Sequence, residues 1–101
     1  MIVVRDVFRV KFGKAKEATD LWKKAVAMLN KSGYGGGTTR ILTDLAGPPY
    51  YTLVLETSYE SVSKWEEAGK EVRKNAEWKS IYQQIVPLTE EGRREILAVV
   101  E

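Results

Sequence analysis

The hydrophobic pattern of this chain switches between a period of two and a helical period, and the order of the switches restricts the fold more than any other feature. From Ile2 to Phe12 the residues alternate. Ile2, Val4, Phe8, Val10 and Phe12 share one face, with Asp6 as the exception, while Val3, Arg5, Val7, Arg9 and Lys11 share the other. Period two marks a strand, and Gly13 ends it. Over residues 14–32, Ala18, Leu21, Trp22, Ala25 and Leu29 follow helical spacing, with Val26 widening the stripe. Gly33 stands where a left-handed residue closes a helix. Residues 38–45 read as a second strand, with Ile41 and Leu45 on its apolar face. Ala46-Gly47-Pro48-Pro49 reads as a turn, and residues 50–57 read as a third strand with Tyr51, Leu53 and Leu55 on its apolar face. Two such strands joined by a short Gly/Pro turn make a hairpin. After Ser58, Val62, Trp65, Ala68 and Val72 form one helical stripe. Trp78, Ile81, Tyr82 and Ile85 form another behind the capping residue Asn75, so the region is two helices or one broken near Lys74-Asn75. Pro87 stops the run, and residues 94–100 close the chain as a strand.

The order β-α-β-β-α-β is the ferredoxin-like α+β arrangement: a four-stranded antiparallel sheet with the helices on one face. With 101 residues the chain makes one domain, residues 1–101, and a domain of this size buries only about 60–70% of its unfolded surface. No segment is left to cover the second sheet face. That face carries Val3, Val7, Leu42, Val54 and Leu97 among its charges, so it is expected to meet a partner, and a homodimer is the natural solution.

Three stretches resemble the dimeric α+β barrel superfamily, in particular NIPSNAP-like and antibiotic-biosynthesis monooxygenase-like domains. They are Phe8-Arg9-Val10-Lys11-Phe12-Gly13-Lys14; Tyr51 to Thr57 followed by Tyr59-Glu60-Ser61 and Trp65-Glu66; and Asn75-Ala76-Glu77-Trp78 leading to Ile85-Val86-Pro87-Leu88. The resemblance implies a fold in which two sheets pack face to face into an eight-stranded barrel with helices outside. It implies no single reaction, because the superfamily hosts oxygenases, isomerases, haem enzymes and proteins of unknown role.

If the apolar strand faces meet the helices, the opposite faces line the lumen of such a barrel. That assigns Arg5, Arg9, Arg40, Asp44, Thr52, Glu56 and Glu95 to the lumen beside Val3, Val7, Leu42, Val54 and Leu97. The arginines and acids balance, and buried charges must be paired. One reading is a set of interfacial ion pairs that orients a dimer. The other is a cavity with polar anchors, in which arginine receives an anionic group and Glu56 accepts a proton. The candidate ligand-binding residues are therefore Arg5, Arg9, Arg40, Thr52 and Glu56, with Trp65, or alternatively Tyr82, placed against a bound aromatic ring. Otherwise Trp22, Trp65 and Trp78 read as core residues on apolar stripes. Gly33-Tyr34-Gly35-Gly36-Gly37 begins like a phosphate loop, but Thr38 replaces the expected glycine and the loop runs from helix to strand, the wrong way round. It reads instead as a mobile loop at the barrel mouth.

The chain has no cysteine and no histidine. This leaves no disulfide, thiolate site or cysteine nucleophile, and it removes the commonest general base, metal ligand and proximal haem ligand. No metal or cofactor is expected. The net charge of +2 comes from interspersed charges without the basic stripe of a nucleic-acid binder. No membrane span or apolar leader is visible, since Arg5, Asp6, Arg9 and Lys11 interrupt residues 1–12, so a cytoplasmic setting is expected. Three functions fit: a homodimer that binds a small organic ligand, a cofactor-independent monooxygenase-like or isomerase-like enzyme on a small aromatic or polyketide-type substrate, and a purely structural dimer with a filled barrel.

Overall fold

The computed structural model of the chain describes residues 1–32 and 37–101. Its elements run β1 (Ile2–Val10), α1 (Ala15–Ser32), β2 (Arg40–Thr43), β3 (Thr52–Tyr59), α2 (Val62–Lys74), α3 (Ala76–Ile85), a short 3-10 turn (Val86–Leu88) and β4 (Thr89–Ala98). The strands form one antiparallel sheet in the order β2-β3-β1-β4, the ferredoxin-like α+β arrangement. The glycine-loop positions 33–36, and with them the reading of a helix-closing Gly33 and a mouth loop, lie outside the described residues.

The face assignment follows from the pleat. Val4 and Val10 of β1 and Leu53 and Leu55 of β3 are buried under the helices with Ala18, Trp22, Ala25 and Val26 of α1 and Ile81 and Ile85 of α3. Phe8 stacks on Trp22 with centroids 5.2 Å apart, and Trp78 leans on the other side of Trp22 at 6.0 Å. Gly92 sits opposite Phe8 in the β1–β4 ladder. A Cβ there would fall 2.8 Å from Phe8 Cδ1, so the ring lies where only glycine leaves room. Gly92→Ala is expected to push Phe8 off Trp22 and to cost about 1–3 kcal/mol. Denaturant unfolding measures this, and an unchanged midpoint would show that Phe8 can relax freely.

The break near Lys74-Asn75 resolves into two helices. Asn75 has an extended backbone, and its Oδ1 accepts the Trp78 N–H at 3.0 Å, an N-cap that forces a new axis. Ser61 caps α2 in the same way, accepting from the Lys64 N–H.

The bounds of all four strands differ from the sequence reading. β1 stops at Val10, and Phe12 is exposed beyond it. Tyr51, assigned above to a strand face, has φ of 64° and belongs to the turn, so β3 starts at Thr52 and runs on to Tyr59. β2 ends at Thr43. Leu45, expected on an apolar face, is fully exposed at the hairpin tip. β4 starts at Thr89 rather than Arg94; its first half is an edge strand exposed on both sides and so carries no apolar alternation.

Candidate functional site

The uncovered sheet face is organised in rows. Across the ladder, Arg40, Glu56, Arg5 and Glu95 stand directly opposite one another on β2, β3, β1 and β4. Arg40 donates to Glu56 Oε1 through Nη2 at 2.6 Å and Nε at 3.0 Å. Arg5 bridges Glu56 Oε2 at 3.4 Å and Glu95 Oε1 at 3.6 Å, and Arg93 Nε donates to Glu95 Oε2 at 3.2 Å. Arg5 Nε is buried, and its contact with Glu56 misses hydrogen-bond geometry, so this N–H is unsatisfied within one chain. Beside the charged row runs an apolar one, Leu42, Val54 and Val7, and beyond it Thr52, Arg9 and Glu91.

Five of the sequence-derived residues therefore share this face: Arg5, Arg9, Arg40, Thr52 and Glu56. Arg5, Arg40 and Glu56 are tied into the ion row. Among the described residues Arg9 reaches only Glu90, at 3.8 Å. With Thr52, Arg9 lines an open groove of about 350 Å³ whose other side includes Pro48, Pro49 and Arg93. Asp44 does not neutralise the arginines as expected. Its Oδ1 accepts the Thr52 N–H at 2.9 Å, because β2 has already ended and the carboxylate serves the hairpin turn.

Trp65 is on the opposite side of the sheet. It belongs to a cleft of about 190 Å³ between α2 and the helix-facing side of the strands. Trp65, Ala68 and Val72 form one wall, and Asp6, Leu55, Thr57 and Tyr59 form the other. The stripe of α2 that the sequence assigns to core thus faces a space, and only Ala68 of this helix is buried. A groove of about 460 Å³ continues the cleft toward α3, sharing Asp6, Leu55 and Trp78 with it and adding Tyr82 and Arg94.

Asp6, the exception on the apolar face of β1, has its explanation here. It stands opposite Arg94 in the β1–β4 ladder, and Arg94 Nε donates to Asp6 Oδ1 at 2.6 Å. The Arg94 guanidinium in turn lies 5.2 Å from the Trp65 ring centroid, within cation–π range. Strand alternation splits the Arg93-Arg94 pair, sending Arg93 to the open face and Arg94 to the helix side, where it lines the groove that continues the cleft. Burial pushes the Tyr59 phenol above the usual tyrosine range, and the Asp6 carboxylate adds to this while Arg94 and Thr57 oppose it. Tyr59 is therefore a neutral hydroxyl at ordinary pH. At the inner end, Thr39 and Thr57 share a buried hydroxyl hydrogen bond, and the Asn30 side chain pairs with both backbone groups of Thr39. The cleft thus combines aromatic and aliphatic walls with one ion pair and a protonated phenol, a surface suited to a small, largely apolar molecule. Sequence reasoning missed Asp6 and Arg94, and read Tyr59, a possible hydroxyl, as a strand former. No group of three or more acidic, histidine or cysteine side chains that could hold a metal comes together among the described residues.

No family model matches the chain, and no curated protein matches it. Solved structures do. A NIPSNAP family protein of Agrobacterium tumefaciens superposes with a TM-score of 0.87 at 18% identity, covering 99% of this chain and 86% of that one. An uncharacterised NIPSNAP domain protein of Burkholderia xenovorans gives 0.83 at 18% identity, over 99% and 95%. A candidate antibiotic biosynthesis monooxygenase of Nitrosomonas europaea gives 0.79 at 15% identity, over the full length of both chains. These neighbours share the ferredoxin-like α+β fold of the single chain.

Proposed function

We propose that this chain works as a homodimer and binds a small organic ligand in the cleft between α2 and the sheet. The observation that carries the ligand reading is the Trp65–Arg94–Asp6 arrangement on the cleft wall: an aromatic face and an ion pair held together at a cavity that the apolar stripe of α2 leaves unfilled. The proposal moves the site from the barrel lumen to the helix side. On the lumen side, Arg5, Arg40 and Glu56 become the structural ion row, and Arg9 and Thr52 keep a secondary groove.

Two features support self-association through the open face. The ion row reads Arg-Glu-Arg-Glu from β2 to β4 and Glu-Arg-Glu-Arg in the other direction. A second copy laid on it with the sheet order reversed sets each charge against its opposite, the self-complementarity that a two-fold interface requires. The unsatisfied Arg5 Nε would gain an acceptor there. A cytoplasmic setting belongs to the same proposal; no helix among the described residues is long and apolar enough to cross a membrane.

An enzymatic version has one specific support. Tyr59, held protonated, and Asp6, whose Oδ1 accepts from Arg94 and whose Oδ2 accepts no hydrogen bond among the described residues, offer a proton donor and a proton acceptor at one cleft. That would suit a cofactor-independent reaction on a small aromatic or polyketide-type substrate.

The test is a titration with 2-naphthamide and 2-naphthoate, bicyclic probes sized to such a cleft, followed through the backbone amide signals and the indole signals of the three tryptophans. Saturable shifts at Trp65 and Trp78, lost when Val72→Phe fills the cleft, are the expected result. Shifts confined to Arg9 and Thr52 would return the site to the sheet face. No saturable shift from either probe at millimolar concentration would overturn the ligand reading.

A further inference from the structure

The cleft has a residue that the helix does not want. Gly69 lies on the inner stripe of α2 and lines the cleft with Trp65, Ala68 and Val72. Glycine inside a helix is unfavourable relative to alanine, and the core offers no reason for it here. A Cβ at position 69 would meet no sheet or α3 atom within 4 Å. Among the described residues it would meet only the end of Arg73, with Nη1 at 3.1 Å and Cζ at 3.9 Å. The missing side chain therefore makes room for the Arg73 guanidinium to lie back along α2, over a residue of the cleft lining. Arg73 makes no ion pair or hydrogen bond among the described residues, whereas the neighbouring Lys74 is held by Glu71. The charges lining the cleft are otherwise balanced, since Asp6 is paired with Arg94. Arg73 is thus an unneutralised cation at the edge of a neutral, mainly apolar cavity.

We infer that Arg73 reads an anionic group on the ligand of this cleft, and that Gly69 is the residue that lets it do so. This rests on the cleft being the ligand site. The ligand class is then a small planar organic anion, with its apolar body between α2 and β3 and its carboxylate or equivalent oxyanion at the α2 rim. A planar guanidinium suits that partner, because it can donate two parallel hydrogen bonds to one carboxylate. A position in the last turn of α2 favours a cation through the helix dipole, but that preference needs no glycine at position 69.

The experiment compares 2-naphthoate with its neutral isostere 2-naphthamide on the full chain, by calorimetry and tryptophan fluorescence. Wild type is expected to bind the carboxylate about tenfold more tightly than the amide, the size of one partly solvated charged hydrogen bond. Arg73→Gln should bring the two to equal affinity and leave the amide unchanged. Gly69→Ala should also shrink the discrimination by displacing the guanidinium, while raising the melting temperature of the protein. Equal binding of both probes to wild type, or discrimination that survives in Arg73→Gln, overturns this inference and leaves the cleft as the ligand site. Binding of neither probe, or binding that persists unchanged in Val72→Phe, overturns the cleft reading and this inference with it. Arg73 is exposed, so its variant is expected to fold, and far-ultraviolet circular dichroism checks that it has.

Discussion

Trp22→Ala is expected to remove about 3–5 kcal/mol of folding stability, the usual range for deleting a large buried aromatic side chain. Native domains have only about 5–15 kcal/mol in total, so the variant should be marginal at room temperature. The reason is its position. Trp22 is 2% exposed and stands between Phe8 of β1 and Trp78 of α3, touching the ring of each. It is a contact through which α1 holds both the sheet and α3. Its Nε1 is buried with no partner, which itself opposes folding. Trp22→Phe should therefore cost less than half as much as Trp22→Ala, because it keeps the stacking on Phe8 and removes an unsatisfied donor. Urea unfolding of the three proteins under identical conditions measures both differences. A loss below about 1 kcal/mol in Trp22→Ala would mean that the core closes without this residue.

The elements whose residues face a single environment were legible in the sequence, and the others were not. β1 lies at the centre of the sheet between β3 and β4, so its alternation reports two distinct faces, and those faces are the ones observed. The start of β4 was hidden because Thr89 to Arg94 form a two-sided exposed edge. No burial distinguishes one side from the other, and the residues read as solvated charge. Tyr51 looked like a strand residue because it is aromatic and still packs partly against the core, but its backbone sits in the left-handed region, which side-chain type does not reveal. The candidate cleft was the least visible part. Asp6 and Arg94 are 88 residues apart and meet only through the β1–β4 register. The signal that could have found them was Asp6 itself: a carboxylate on the helix-facing side of a strand needs a cation, and on an edge strand such as β4 the cation comes from directly opposite. Trp65, expected with the lumen residues, lies on the other side of the sheet, because helical spacing gives the face of α2 and not which side of the sheet that face covers.

Val54→Asp is expected to convert a dimer into a folded monomer. Val54 lies on the open face, directly opposite Val7 on β1 and Leu42 on β2, at the centre of the apolar row that adjoins the ion row. If a second copy covers this face, the new carboxylate is taken out of water with apolar neighbours on both sides. Such burial costs several kcal/mol, and each 1.4 kcal/mol is tenfold in affinity, so association should weaken by at least about a hundredfold. In a single chain the same carboxylate faces solvent once Val7 and Leu42 shift. Some loss of folding stability is still expected, since Val54 is 6% exposed even within one chain. Val54→Thr separates the two effects: it keeps the β-branched shape suited to a strand and adds a hydroxyl without a charge, so it should fold well and remain associated. Sedimentation velocity at micromolar concentration gives the result directly. Wild type and Val54→Thr should run at twice the chain mass and Val54→Asp at the chain mass, with circular dichroism showing all three folded. A wild-type protein that runs as a folded monomer at these concentrations would remove the homodimer from the proposal, and the alternating Arg-Glu row would then be a solvated ladder that stabilises one sheet.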